Sequence, residues 1–149
     1  MTLRVLVVDD EPSVRVVVRA SLSGVGIAVV EASDGPSALD ALSREEVDLV
    51  LLDLMMPELD GFDVLDRIRA EPEFAHIPVI ILTAKTGEDP HVAAFRAGAD
   101  GYLTKPFDVE ALVSQVQDVA ARGVEAREQV RIRELAKAEA LRQIEAFGF

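Results

Sequence analysis

The chain has 149 residues, of which 50% are hydrophobic and 28% charged, a globular balance that fits one ordinary domain and excludes disorder throughout. Its 27 acidic against 15 basic side chains leave a net charge of -12, opposite in sign to the footprint of a nucleic-acid binder, so direct nucleic-acid binding is not expected. No cysteine is present, which removes disulfide scaffolds, thiolate nucleophiles and Cys-based zinc sites. The short apolar run before Asp9 is neither a signal peptide nor a membrane span, so the expectation is a soluble cytoplasmic protein without membrane insertion.

Taken in chain order, Leu3 to Val8 is a nearly continuous apolar run ending in Asp9-Asp10-Glu11, as expected for a strand buried on both faces. Pro12 then stands at a plausible first helical position, and Val14, Val17, Val18 and Leu22 fall on one helical face. A second run, Ile27 to Val30, precedes Ser33-Asp34-Gly35-Pro36, the start of another helix. The third run, Val47 to Leu52, ends in Asp53, and Phe62, Leu65, Ile68 and Arg69 follow at helical spacing. Val79 to Leu82 ends in Thr83, with a helix start near Pro90, and a weaker run around Tyr102 and Leu103 ends in Thr104-Lys105-Pro106. Asp108 is the expected N-cap of a fifth helix through Val119. Strands alternating with helices predict a doubly wound five-stranded parallel sheet over residues 1–122.

Residues 123–149 are expected to form a helical extension. The segment from Arg122 onward holds six basic and five acidic side chains, so the acidity belongs to the first four-fifths of the chain. Glu128/Arg131, Glu134/Lys137 and Glu139/Arg142 place opposite charges three apart on a helix. Ile132, Leu135, Ala138, Leu141, Ile144 and Phe147 step by three and wind around the helix, so no regular coiled coil is predicted. A solvated helix and a helix that dimerises or leads into an output domain both remain open.

Ligands of an open parallel sheet bind outside the carboxyl ends of its strands. Those ends carry carboxylates at Asp9, Asp10 and Asp53, a hydroxyl at Thr83 and an ammonium at Lys105. Clustered carboxylates call for a hard divalent cation, for which Mg²⁺ is the natural candidate, and the Lys and Thr could hold the remaining oxygens of a phosphoryl group.

The set Asp9-Asp10, Asp53, Thr83-Ala84 and Lys105-Pro106-Phe107, with Met56-Pro57 and Asp60-Gly61 after the central Asp, resembles the CheY-like receiver domain of two-component response regulators. The resemblance covers Met1 to about Arg122 and implies a flavodoxin-like (βα)5 fold. It further implies that Asp53 accepts a phosphoryl group from a phosphohistidine on a histidine kinase or phosphotransfer protein. Asp10, Asp53 and the backbone carbonyl of Met55 then ligate Mg²⁺, Asp9 acts nearby or through water, and Lys105 neutralises charge. Thr83 and Tyr102 are the implied switch, read by a downstream protein or a second copy on the face of the fourth helix, fifth strand and fifth helix, or through the C-terminal helix.

Met55 and Lys85 occupy the positions that flank water's approach to the acyl phosphate in this family. Neither supplies a general base, so a phosphorylated state that outlasts seconds is expected. Tyr102 as ordinary strand packing is the alternative to its switch role, His76 and His91 are expected in loops, and Gly98 and Gly101 at turns or helix ends. Two other readings stay beside the receiver: an amino-terminal piece of a longer regulator, and an aspartate-nucleophile phosphohydrolase. The second lacks its Asp-x-Asp motif at the first strand.

Overall fold

The computed structural model describes residues 2–56, 60–84 and 88–147, with Glu88 and Asp89 described by backbone alone. Pro57 and Lys85 lie outside the described residues. Strands β1 (Arg4–Val8), β2 (Ala28–Ala32), β3 (Leu49–Leu52), β4 (Val79–Thr83) and β5 (Gly101–Thr104) alternate with helices α1 (Pro12–Ser23), α2 (Gly35–Arg44), α3 (Gly61–Ala70), α4 (Glu88–Arg96) and α5 (Val109–Ala121), and α6 (Val124–Ala146) follows.

All strand pairs are parallel, in the order β2-β1-β3-β4-β5. Period-2 alternation divides the core between the two faces. Val5, Val7, Leu49, Leu51, Ile80 and Leu82 pack with Val18 and Leu22 of α1 and Leu112, Val116 and Val119 of α5. Leu6, Val8, Val50, Leu52, Val79 and Ile81 face the other way, against α2, α3 and Ala94 of α4. Because helices cover both faces, the central strands must be apolar at every position, and β3 is buried from Leu49 to Leu52.

Helix starts follow local chemistry. Asp34 accepts from Ser37 N in a capping box, and Asp60 and Asp108 accept from Phe62 N and Glu110 N. Glu11 precedes Pro12 but makes no capping bond, and its carboxylate turns to the strand ends instead.

Three expectations change and one holds. Val17 is 44% exposed while Val18 and Leu22 are buried, because Val17 lies at the edge of the α1 stripe. Gly101 is a strand residue of β5, with the end of the Gln115 side chain of α5 packed against it. Gly98, with φ of 104°, does end α4 as a left-handed residue. His91 is a helical residue of α4, its ring stacked on Tyr102 at 4.9 Å and near Phe95 at 5.0 Å.

The tail is neither solvated all round nor continuous with α5. The chain breaks at Arg122 and Gly123, and α6 folds back against α4, with Ala138 buried and Leu135 and Leu141 beside Phe95. Ile132, Ile144 and Phe147 remain exposed, as the winding of the threefold spacing requires.

Candidate functional site

The sheet order reverses between β1 and β3, where ligands bind in open parallel sheets. Register places Val8 beside Leu52, so the next residues, Asp9 and Asp53, are neighbours at that switch point. Backbone bonds fix both: Asp53 N donates to Val8 O at 3.0 Å and Asp9 N to Ala32 O at 3.1 Å. Each carboxylate also turns its Oδ1 back to the following loop, Asp53 accepting from Met55 N and Asp9 from Glu11 N, both at 2.9 Å.

The approach of α3 to this loop is close enough to dictate a glycine. A Cβ on Gly61 would collide with the Asp53 carbonyl oxygen and stand 2.6 Å from Leu54 Cα. Lys105 arrives from the far side: Thr83 pairs with Thr104 across β4 and β5, and Lys105 N donates to Thr83 O at 2.8 Å. A cis peptide bond joins Lys105 to Pro106.

The Lys105 ammonium lies 2.6 Å from Asp9 Oδ2, 3.1 Å from Asp53 Oδ2 and 3.4 Å from Glu11 Oε1. Asp9 and Asp53 are 1% and 3% exposed. Burial opposes the charge on Lys105, but the carboxylates of Asp9 and Asp53 outweigh it and hold the ammonium above its usual range. For Asp9 the balance is reversed. Burial and the Asp53 charge raise its pKa despite Lys105 and the Glu11 amide. The two groups of one ion pair thus move in the same direction, because among the described residues one ammonium serves three carboxylates.

Carboxylate oxygens of Asp9, Asp10, Glu11 and Asp53 all lie within 4.8 Å of one another, Asp10 and Glu11 at the exposed edge. Asp9 Oδ2 is buried against the Lys105 ammonium. A hard, oxygen-only donor set of four carboxylates, two of them buried, fits a divalent cation such as Mg²⁺. Glu11, a member of this cluster, was legible only as the end of an acidic triplet.

Thr83 is fully buried at the end of β4, paired with Thr104, the residue before Lys105. Tyr102 is half-buried, and burial together with the charge of Asp53 pushes its phenol up. Met55 is exposed beside Asp53. An open concavity of about 490 Å³ adjoins the site, lined by Val14, Val17, Ala84, Lys105, Pro106 and Phe107.

A second charged cluster, which sequence spacing did not expose, lies at the opposite end of β5. Asp100, with a side chain wholly buried, accepts from Val79 N, from Arg69 Nη2 at 2.9 Å and from Arg131 Nη1 at 2.6 Å, with Arg127 Nη1 at 3.4 Å. Arg127, 6% exposed, also donates to His76 O at 2.7 Å. Nothing in the sequence pairs residue 100 with 127 and 131 before the fold is known.

A family model described as the response regulator receiver domain matches residues 5–117. The response regulator MprA of Mycolicibacterium vanbaalenii is 42% identical over 122 residues, which cover 82% of this chain and 52% of MprA. The DNA-binding dual master transcriptional regulator RpaA of a Synechocystis species is 40% identical over 119 residues, 80% of this chain and 49% of RpaA. The chain therefore spans about half the length of these curated relatives. The chemotaxis response regulator CheY4 of Vibrio cholerae superposes with a TM-score of 0.76 at 32% identity, over 80% of this chain and 99% of CheY4. Among the described residues no helix is long and apolar enough to cross a membrane.

Proposed function

The chain belongs to the response regulator receiver family, a family of signalling domains rather than classical enzymes, and on that premise we propose that Asp53 is the phosphoacceptor of a two-component phosphorelay. The observation that carries this reading is the placement of a buried carboxylate, Asp53, at the switch point within 3.1 Å of one ammonium and among three further carboxylates. A carboxylate oxygen of Asp53 forms a P–O bond as the P–N bond of a phosphohistidine breaks, the electron pair leaving on the imidazole nitrogen. Such a transfer needs positioning and charge neutralisation more than covalent help from the protein.

Mg²⁺ fits the oxygen cluster, held by Asp10 and Asp53 with Asp9 nearby and the Met55 carbonyl as the implied backbone ligand; when bound, it neutralises phosphoryl oxygens. Lys105, already charged at neutral pH, supplies the other positive charge as it turns from carboxylates to phosphoryl oxygens. Thr83 stands where a hydroxyl can meet a phosphoryl oxygen, and Tyr102 follows it as the switch. The apolar concavity of Val14, Val17 and Phe107 gives a kinase or phosphotransfer protein its landing surface next to Asp53, and the output is protein contact in the cytoplasm.

Intact mass after incubation with acetyl phosphate and Mg²⁺ tests this. One phosphoryl adduct is expected on the wild type and none on Asp53→Ala or without metal. An adduct on Asp53→Ala, or none on a folded wild type, overturns the assignment. The half-length match to MprA and RpaA supports a second reading of the extent of the protein, in which the same switch governs an output domain beyond these residues.

A further inference from the structure

We propose that α6 is a built-in latch on this receiver, seated while Asp53 carries no phosphoryl group and loosened when it does. The inference rests on the phosphoacceptor reading above, and four observations lead to it.

First, α6 is anchored rather than merely near. Arg127 and Arg131, one turn apart, reach the buried Asp100, while Ala138 further along the helix is buried and, with Leu135, lines a cleft of about 320 Å³ that α6 shares with Phe95 of α4. Second, the anchor point is the residue that leads into β5, and Lys105 is the residue that leaves it. Third, β5 touches α4 in between, where Tyr102 stacks on His91, and His91 itself lines the cleft under α6. Fourth, the latch is hinged and weakly self-supporting. Gly123 is exposed with open space about it, and α6 has no side-chain cap at its start.

The direction follows from what each state holds. In this arrangement Lys105 is spent on Asp9 and Asp53, and α6 fits the surface that results. A phosphoryl group on Asp53 gives Lys105 and Thr83 new oxygens to bind, and re-seating Lys105 displaces the four-residue strand that carries Tyr102 and follows Asp100. The phosphoryl group makes no contact with α6, so it adds nothing to the latch; it removes the geometry for which the latch fits. Coupling of this kind is reciprocal, so a weakened latch must favour phosphorylation.

Hydrogen exchange of the full chain, with and without acetyl phosphate and Mg²⁺, decides the matter when intact mass is recorded on the same samples. In the phosphorylated fraction, amides of α6 are expected to exchange about fivefold faster or more, with α5 and β1 unchanged, and Asp53→Ala is expected to show no response. Adduct formation with α6 exchange unchanged or slowed overturns the latch alone. Absence of any adduct overturns the phosphoacceptor reading and the latch with it. Arg131→Gln, at a partly exposed position, serves as the second arm: it should speed α6 exchange in the unphosphorylated chain and raise the phosphorylated fraction at a fixed acetyl phosphate concentration. Faster α6 exchange with an unchanged phosphorylated fraction overturns the coupling.

Discussion

Replacing Lys105 with Met removes the one ammonium from among three carboxylates while keeping much of the side chain's bulk. Asp9 and Asp53 are then left buried side by side, 1% and 3% exposed, with no other ammonium beside them among the described residues. Stripping one partner from a buried ion pair costs about 3–5 kcal/mol; because Asp10 and Glu11 open this cluster to water, about 2–3 kcal/mol is the fitting figure at pH 7.5. The loss must depend on pH. Burial already raises Asp9 above its ordinary value, and without Lys105 it rises further. The folded state then binds more protons than the unfolded state between those two values, so stability falls as pH rises through that window and the penalty is complete above it. Below the ordinary carboxylate range both states are protonated and the penalty is least. Urea unfolding of wild type and Lys105→Met at pH 7.5 and pH 5, in EDTA and in Mg²⁺, measures all of this. A penalty that shrinks at the lower pH and is partly restored by Mg²⁺ is expected. A variant as stable as wild type at pH 7.5 in EDTA, or a loss indifferent to both pH and metal, refutes the account of this site as a charge-starved carboxylate cluster.

Three further outcomes are expected. Gly61→Ala forces a Cβ against Leu54 Cα and the Asp53 carbonyl, so it should cost about 1–3 kcal/mol in urea unfolding and slow adduct formation, because the backbone that must yield is that of Asp53, the proposed phosphoacceptor. Asp100→Asn withdraws the carboxylate from three guanidiniums, one 6% exposed, and should cost about 3 kcal/mol with faster exchange in α6; equal stability would remove the anchor. The phosphoryl group on Asp53, flanked by Met55 with no carboxylate or amide at residue 55 or 85, should persist beyond seconds after acetyl phosphate is removed, as followed by intact mass.

Much of the architecture was legible because β1, β3 and β4 are nearly continuous apolar runs that lead to Asp9, Asp53 and Thr83. Asp9, Asp53, Thr83 and Lys105 could be named as a group for that reason: strand ends in a parallel sheet share an edge, whatever the register. What stayed hidden depends on approach distances and on pairs far apart in the chain. Gly101 announces a turn in one dimension, yet it lies within β5. His91 sits next to Pro90, which suggests a loop, yet its ring is packed by Phe95 one turn later and by Tyr102 on another element. The arginines at 127 and 131 look like two of many solvated charges on an Ala-Glu-Arg helix; a carboxylate about thirty residues earlier gives them their purpose. The threefold apolar spacing of α6 did not reveal that part of the stripe faces α4 of its own chain.

The outermost strand of the sheet shows what the two charged clusters mean for one another. An edge strand of four residues, none but Gly101 fully buried, has little apolar pattern to say which residue pairs with which, and slippage by two positions would cost little side-chain burial. Here Asp100, at its entrance, is a lone anion sunk among arginines, and Lys105, at its exit, is a lone cation sunk among carboxylates. Sliding β5 along its neighbour in either direction pulls both charges out of their opposite-signed sockets at once. Strand alignment that hydrophobic side chains leave loose is thus written in electrostatics, with inverse polarity at the two ends of a segment roughly 13 Å long.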